Sequence, residues 1–242
     1  MVSHVPAPTA AVSSTRHRFP AEIISHCVWR YHRFGLSLRD VQELLAERGV
    51  AVTYETIHQW CRKFGPTFAA ALRRRRPRPG DKWHVDEVQL TMNGRRYWLW
   101  RAVDQDGMVL AILVQTRRNQ NAAETFLRRV IAGCGTPPRV VSTDKLASYP
   151  PAIRRVLPGV EHRRHKGLNN RAETSHRPTR RRERALQRFK SPEQAQRFLS
   201  CVEPIRGHFC PRRHVWPAAR YRAVLADRYA VWRQGTGLPT SA

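Results

Sequence analysis

From residue 19 to residue 64, apolar side chains recur every three or four positions, which predicts consecutive amphipathic helices. Gly35 and Gly49 interrupt the pattern, so three helices are expected. Ser37 and Asp40 precede the second apolar stripe with the spacing of a capping box. The third helix would cover residues 53–64. Helix, short turn and helix is the outline of a helix-turn-helix.

Beyond residue 81 the hydrophobic period becomes strand-like. Asn93-Gly94 predicts a hairpin between strands at 83–91 and 95–103. Further along we expect a strand at 108–116, a helix at 121–132, a strand at 139–143, a helix at 145–156 distorted by Pro150-Pro151, a short piece at 160–163, and helices at 170–189, 192–209 and 217–234. Hairpin-linked strands followed by alternating helix and strand predict an α/β fold with a mixed sheet.

A basic stretch punctuated by proline and glycine separates the two patterns and predicts a domain boundary. We therefore expect a flexible N-terminal arm (1–18), a helix-turn-helix domain (19–65), a basic linker (66–81), an α/β domain (82–191) and a C-terminal helical region (192–242). The linker itself could follow a phosphate backbone or be a solvated spacer.

The chain carries 44 Lys and Arg against 18 Asp and Glu, a net charge of +26 over 242 residues. Such a surface favours a polyanion as partner. The longest apolar run, 108–114, is too short to span a bilayer, and residues 1–15 do not resemble a secretory signal. The five cysteines are odd in number and lack a CxxC pair, so we expect reduced thiols and a cytoplasmic location.

The third helix would bury Ile57, Trp60, Cys61 and Phe64 and turn its other face to solvent. With this net charge, that face is expected to enter the major groove of DNA. Its candidate DNA-binding residues are Tyr54, His58, Gln59, Arg62 and Lys63. The alternative is an ordinary three-helix bundle with a solvated face.

Carboxylates are scarce in this chain, and three of them lie in or directly after different elements. Asp86 lies within the first strand, Asp144 follows the strand at 139–143, and Glu173 lies on a basic helix. Open α/β sheets place ligand sites at the carboxyl ends of parallel strands, so Asp86 and Asp144 could meet there. With Glu173 they could hold two Mg²⁺ ions about 3.5–4 Å apart for an in-line phosphoryl displacement.

Each acid also has an ordinary structural explanation. Asp144 could cap the next helix, and Glu173 could pair with nearby arginines. Asp86 or Glu87 could be an exposed strand residue. Alternation sends Asp86 and Glu87 to opposite faces of the sheet, and periodicity does not choose between them.

Six short motifs follow one another along the chain: Trp83-His84-Val85-Asp86-Glu87, Arg101-Ala102-Val103-Asp104, Thr143-Asp144-Lys145, Glu161-His162-Arg163, Asn169-Asn170-Arg171-Ala172-Glu173 and Phe189-Lys190-Ser191. In this order they resemble the insertion sequence 6 family of bacterial DDE transposases. The stretches Glu47-Arg48-Gly49-Val50 and Thr56-Ile57-His58-Gln59-Trp60 are similar to the helix-turn-helix of that family. The resemblance covers about residues 19–215.

The resemblance implies a ribonuclease-H-like catalytic domain in which Asp86, Asp144 and Glu173 match the metal-binding acids, which favours Asp86 over Glu87. It implies two Mg²⁺ ions, with Mn²⁺ able to substitute, and DNA nicking followed by transfer of a 3′ hydroxyl. The helix-turn-helix would bind the terminal inverted repeats of the element. We expect double-stranded DNA as partner, a homodimer or larger assembly, no membrane association, and a bacterial protein bound to the nucleoid when on DNA.

Basic residues beside the acids are expected to contact DNA phosphates. The candidates are Lys145, Arg171, Arg177, Arg180 and Arg181. Arg180 follows Glu173 by seven residues, or two helical turns, and would share its face.

The interval between Asp144 and Glu173 departs from the family. It spans 173 − 144 = 29 positions, with 28 residues between the acids, and the family usually has several more. A trimmed loop at 150–159 would be harmless, whereas a displaced Glu173 helix would leave an inactive remnant or a DNA-binding protein of the same fold. A nuclease without strand transfer is a third reading, because fold alone does not set the second nucleophile.

Overall fold

The computed structural model describes residues 18–165, 169–186, 188–210 and 216–237. The chain divides into two compact units: Met1–Arg76 with Pro204–Ala242, and Pro77–Glu203. The predicted N-terminal arm, 1–18, lies outside the described residues except for Arg18. Among the helices described, none has the length and apolar character needed to cross a membrane.

The first unit begins with helices α1 (Ala21–Phe34), α2 (Leu38–Ala46) and α3 (Tyr54–Arg74). Gly35 ends α1 in the left-handed conformation. The predicted capping box starts α2: the Ser37 hydroxyl accepts from the amide of Asp40 at 3.0 Å, and the Asp40 carboxylate accepts from the amide of Ser37 at 2.8 Å. The expected core side chains of α3 are all buried.

Helix α3 is longer than predicted, and the assignment of residues 66–74 to a linker is wrong. The apolar stripe continues through Phe68, Ala69 and Leu72, which are buried. Pro66 lies inside the helix, at a position where proline removes a backbone donor. Burial of the stripe offsets this cost, so the helix ends at Arg74.

Helix α8 (Ala218–Thr236), at the other end of the sequence, supplies the partner of that stripe. Its Trp232 packs edge-to-face on Phe68 with ring centroids 5.4 Å apart, and on Phe209 at 5.7 Å. Phe209 also contacts Trp29 of α1 at 5.6 Å. Residues 204–210 and 216–237 therefore belong to the same compact unit as α1, α2 and α3.

Within the described residues, the second unit holds one sheet with strand order β3-β2-β1-β4-β5. The strands are β1 (Lys82–Met92), β2 (Arg95–Asp104), β3 (Val109–Gln115), β4 (Val140–Thr143) and β5 (Glu161–Arg164). Strands β1 to β3 are antiparallel, whereas β4 and β5 run parallel to β1. Asn93 and Gly94 adopt positive φ in the hairpin. The predicted mixed sheet is confirmed.

Helices cover both faces of this sheet: α4 (Gln120–Cys134), α5 (Tyr149–Val156), α6 (Asn170–Ala185) and α7 (Pro192–His208). Trp83 and Val85 face the core with α4 and α5, while Leu90 and Met92 face the core with α7. Alternate residues of β1 thus serve opposite faces. The division between the two units falls inside α7, between Glu203 and Pro204.

The predicted helix start at residue 145 is wrong. Helix α5 begins at Tyr149, so the prolines lie in its first turn, where a missing amide hydrogen costs nothing, and they do not distort it. The residues before it form a turn in which Asp144 accepts from the amide of Leu146. This turn sets the environment of Asp144.

Candidate active site

Asp86 lies in the middle of β1 on the face that carries α6. Its side chain is 13% exposed, and its Oδ2 is 3.4 Å from Nε2 of His176 on α6. Its register partner on β2 is Arg101, so these two side chains share a face of the sheet. Asp86 is thus a buried carboxylate in a basic setting, reachable from one side.

Asp144 follows the last residue of β4. In the parallel pairing of β1 with β4, Val85 lies opposite Thr143. Asp86 is the next residue of β1, and Asp144 is the first residue after β4. Adjacent strands lie about 4.8 Å apart, which brings the two backbones close together. The side chain of Asp144 is 28% exposed, and its Oδ2 is 3.7 Å from the Arg118 guanidinium.

Glu87 points to the opposite face from Asp86, as strand alternation predicts. It accepts hydrogen bonds from the Tyr149 hydroxyl and from Nε of Arg118, the latter at 2.6 Å. Burial raises the pKa of Glu87 to about 7, although both hydrogen-bond partners act in the other direction. Burial and the nearby charge of Glu87 also raise the pKa of Tyr149. Arg118 therefore lies between the buried Glu87 and the more exposed Asp144.

Glu173 belongs to the first turn of α6, but its side chain, like that of Arg171, lies outside the described part of the structure. No group of three or more His, Cys, Asp and Glu side chains able to hold a metal occurs among the described residues. The position of α6 relative to Asp86 is shown by His176, which lies about one turn after Glu173 and contacts Asp86.

A cavity of about 460 Å³ opens beside Asp86 and is walled largely by arginines of α6. Its lining residues are Asp86, Val88, His176, Arg177, Arg180, Arg181 and Arg184. Arg177 and Arg181 are exposed, whereas Arg180 is half-buried and pairs with Glu183 at 3.2 Å. Among the described residues that line the cavity, several guanidinium groups face a single carboxylate, so the cavity attracts anions.

This arrangement can be compared with known proteins. A family model described as a DDE domain matches residues 80–210, which is 131 of 242 residues. The chain belongs to the insertion sequence 6 family of DDE transposases. Among its relatives is the transposase for insertion sequence-like element IS431mec of Staphylococcus aureus, 29% identical over 190 residues that cover 76% of this chain and 84% of the relative. The transposase for IS257 in transposon Tn4003, also of S. aureus, is 28% identical over the same shares.

Solved structures similar to this transposase include integrase and transposase catalytic domains. The catalytic domain of Mos1 mariner transposase has a TM-score of 0.41 at 15% identity and covers 73% of this chain and 92% of that chain. The HTLV-2 integrase catalytic core has a TM-score of 0.34 at 18% identity and covers 40% and 66%.

The candidate DNA-binding residues of this transposase lie in both units. In the helical unit, Tyr54, Gln59, Arg62 and Lys63 are exposed and His58 is half-buried, all on the outer face of α3. Tyr54 also stacks against Arg39, whose guanidinium carbon lies 5.4 Å from the ring centroid. In the α/β unit, Lys145 is exposed beside Asp144.

Sequence reasoning missed Arg118 and Tyr149 at this site. Neither has a local signal: Arg118 follows β3, Tyr149 begins α5, and they meet only because both contact Glu87. Arg118 also lies over Trp98 of β2, with its guanidinium carbon 4.7 Å from the ring centroid. The structure also places His176 of α6 against Asp86.

Proposed function

We propose that this transposase binds the terminal inverted repeats of its element and catalyses metal-dependent nicking and strand transfer of DNA. The observation that carries the proposal is the position of Asp86 and Asp144. They directly follow Val85 and Thr143, a register pair of adjacent parallel strands, and Asp86 lines an arginine-walled cavity. Glu173, on the helix that walls this cavity, would be the third acid.

The residues present suit a hard divalent cation. Both carboxylates offer oxygen ligands, and their side chains are 13% and 28% exposed, so they are accessible without being fully hydrated. Arg118 already places positive charge 3.7 Å from Asp144. Bound Mg²⁺, or Mn²⁺ in its place, would supply the charge that activates the attacking oxygen and stabilises the leaving oxygen.

The protein's own groups would bind and orient the DNA. Guanidinium groups of Arg177, Arg180 and Arg181 would bind phosphates next to the scissile bond, and Lys145 would bind one on the Asp144 side. On α3, the exposed Tyr54 and Gln59 would read base edges while Arg62 and Lys63 contact the backbone. Because two element ends must meet, the working assembly would be a homodimer or larger.

The short interval between Asp144 and Glu173 is compatible with an active enzyme. It contains the whole of α5 and β5, so a complete helix and strand lead from β4 back toward α6. Residues 166–168 of this interval lie outside the described ranges. The retained elements favour a trimmed loop over a deletion that displaces α6.

The test is a strand-joining assay with the full chain, a duplex carrying an element end, a target plasmid and Mg²⁺. Asp144→Asn should abolish nicking and joining while duplex binding is kept. Asp81→Asn, at a solvent-exposed ion pair with Arg139, is the matched control and should act as wild type. Wild-type protein that binds the duplex without nicking it would instead mark an inactive remnant. Nicking without any joined product would mark a nuclease.

A further inference from the structure

Helix α6 has no apolar face with which to dock on the sheet. Its sequence, Asn170–Ala185, contains no Val, Ile, Leu, Met, Phe, Tyr or Trp. Burial of an apolar stripe, which holds most helices of globular proteins in place, therefore contributes little here. Yet this helix carries Glu173, whose position relative to Asp86 matters most for the proposed chemistry. Some other interaction has to fix it.

Polar contacts join α6 to the sheet at successive turns. Asn169, directly before the helix, donates from Nδ2 to the carbonyl oxygen of Val85 at 3.0 Å. Arg101 donates from one terminal nitrogen to the carbonyl oxygen of Ser175, also at 3.0 Å. Val85 immediately precedes Asp86 on β1, and Arg101 is the register partner of Asp86 on β2. The two contacts therefore lie on either side of Asp86.

Arg101 makes the most deeply buried of these contacts. It is 1% exposed, and its other terminal nitrogen lies 2.6 Å from Oε1 of Glu203 on α7. The same nitrogen donates to the hydroxyl of Thr179, which in turn donates to Oε1 of Glu203 at 3.2 Å. One guanidinium therefore contacts two helices from a single strand. Thr179 and Glu203 are themselves buried.

An ion pair at this depth contributes little net stability, since removing both charges from water costs about as much as their attraction returns. Apolar residues of similar volume would often hold the two helices equally well or better. They would not fix one orientation, whereas the planar guanidinium fork has defined directions for each acceptor. The arrangement is therefore suited to setting geometry.

We propose that Arg101, Thr179 and Glu203 form a polar clamp that positions α6, and through it Glu173, against Asp86. They are positioning residues: Arg101 and Glu203 act on α6 through the Ser175 carbonyl oxygen and the Thr179 hydroxyl. The consequence for catalysis rests on the proposed function, in which Glu173 is the third acid. The docking of α6 itself does not.

The decisive variant replaces the ion pair by apolar residues of similar volume, Arg101→Met with Glu203→Leu. Its control is Arg139→Met with Asp81→Leu, which removes an ion pair that is 57% and 55% exposed and lies outside the clamp. We expect global unfolding midpoints at or above wild type for both proteins. In the clamp variant, however, amide hydrogen exchange in α6 should be about tenfold to hundredfold faster, with α4 unchanged.

Nicking by the clamp variant should fall by at least about tenfold, because a displacement near 1 Å can cost more than that. The half-saturating Mn²⁺ concentration should rise, and duplex binding should not change. Wild-type exchange in α6 of the clamp variant would overturn the proposal. Should that variant fail to fold, Thr179→Val removes a smaller part of the clamp and should also speed amide exchange in α6. Unchanged exchange in α6 of Thr179→Val would also overturn the proposal. If wild-type protein proves unable to nick, the proposed function fails while the exchange data still decide the clamp.

Discussion

The aromatic core of the helical unit makes the stability of α1, α2 and α3 depend on a residue near the other end of the sequence. Trp232 on α8 is 5% exposed and packs on Phe68 of α3 and on Phe209. Replacing Trp232 by alanine removes both ring contacts and opens a cavity. Truncation of a buried Trp costs about 3–5 kcal/mol, of which the aromatic geometry accounts for about 0.5–1.5 kcal/mol per pair.

A loss of that size is a large fraction of the free energy of unfolding of a typical domain, about 5–15 kcal/mol. Urea unfolding of Trp232→Ala should show an early transition in which the helices of this unit are lost first. Binding of an element-end duplex should weaken at urea concentrations that leave wild type unaffected. Trp216→Ala, at a half-buried tryptophan that stacks with Arg220, is the control and should cost under about 1.5 kcal/mol. A loss below about 1 kcal/mol for Trp232→Ala would refute the assignment of α8 to this core.

Three further changes test separate features. Ser37→Ala removes the capping-box acceptor of α2 and should lower the free energy of unfolding by about 1 kcal/mol in urea titrations, whereas no loss would contradict the cap. Burial, aided by Arg30 and Arg48, lowers the pKa of His26 to about 4 from its usual 6.5. The unfolded chain then binds a proton at higher pH than the folded protein, so stability present above pH 6.5 is lost as pH falls toward 4. In His26→Gln the urea midpoint should therefore change less with pH over that range. An equally steep fall in the variant would argue against a half-buried, neutral His26. Arg180→Ala should reduce the slope of log affinity for DNA against log salt by about 1, and an unchanged slope would exclude a phosphate contact.

The sequence predicted those helix starts and turns that depend only on residues next to each other in the chain. Ser37 and Asp40 cap α2, and Asn93-Gly94 turns the hairpin, because each acts on its own neighbours. Alternation along β1 also correctly placed Asp86 and Glu87 on opposite faces of the sheet.

The features that sequence did not predict depend on distant partners. Helix α3 continues through Pro66 to Arg74 because Trp232 of α8 covers Phe68, and no local pattern announces that contact. Arg118 and Tyr149 reach the candidate site through Glu87, from which they are separated by 31 and 62 positions. Each pairing of this kind is determined by how the chain folds back on itself.

The composition of the helical unit has a consequence for biosynthesis. Its core combines α1, α2 and α3 with residues 204–210 and α8, so the α/β unit is synthesised between its two parts. Domains usually fold as units while the chain emerges from the ribosome. The stripe of α3 that Trp232 covers therefore remains uncovered until α8 has been synthesised. A chain interrupted directly after the α/β unit would lack Trp232, and the apolar stripe of α3 would stay uncovered in such a fragment.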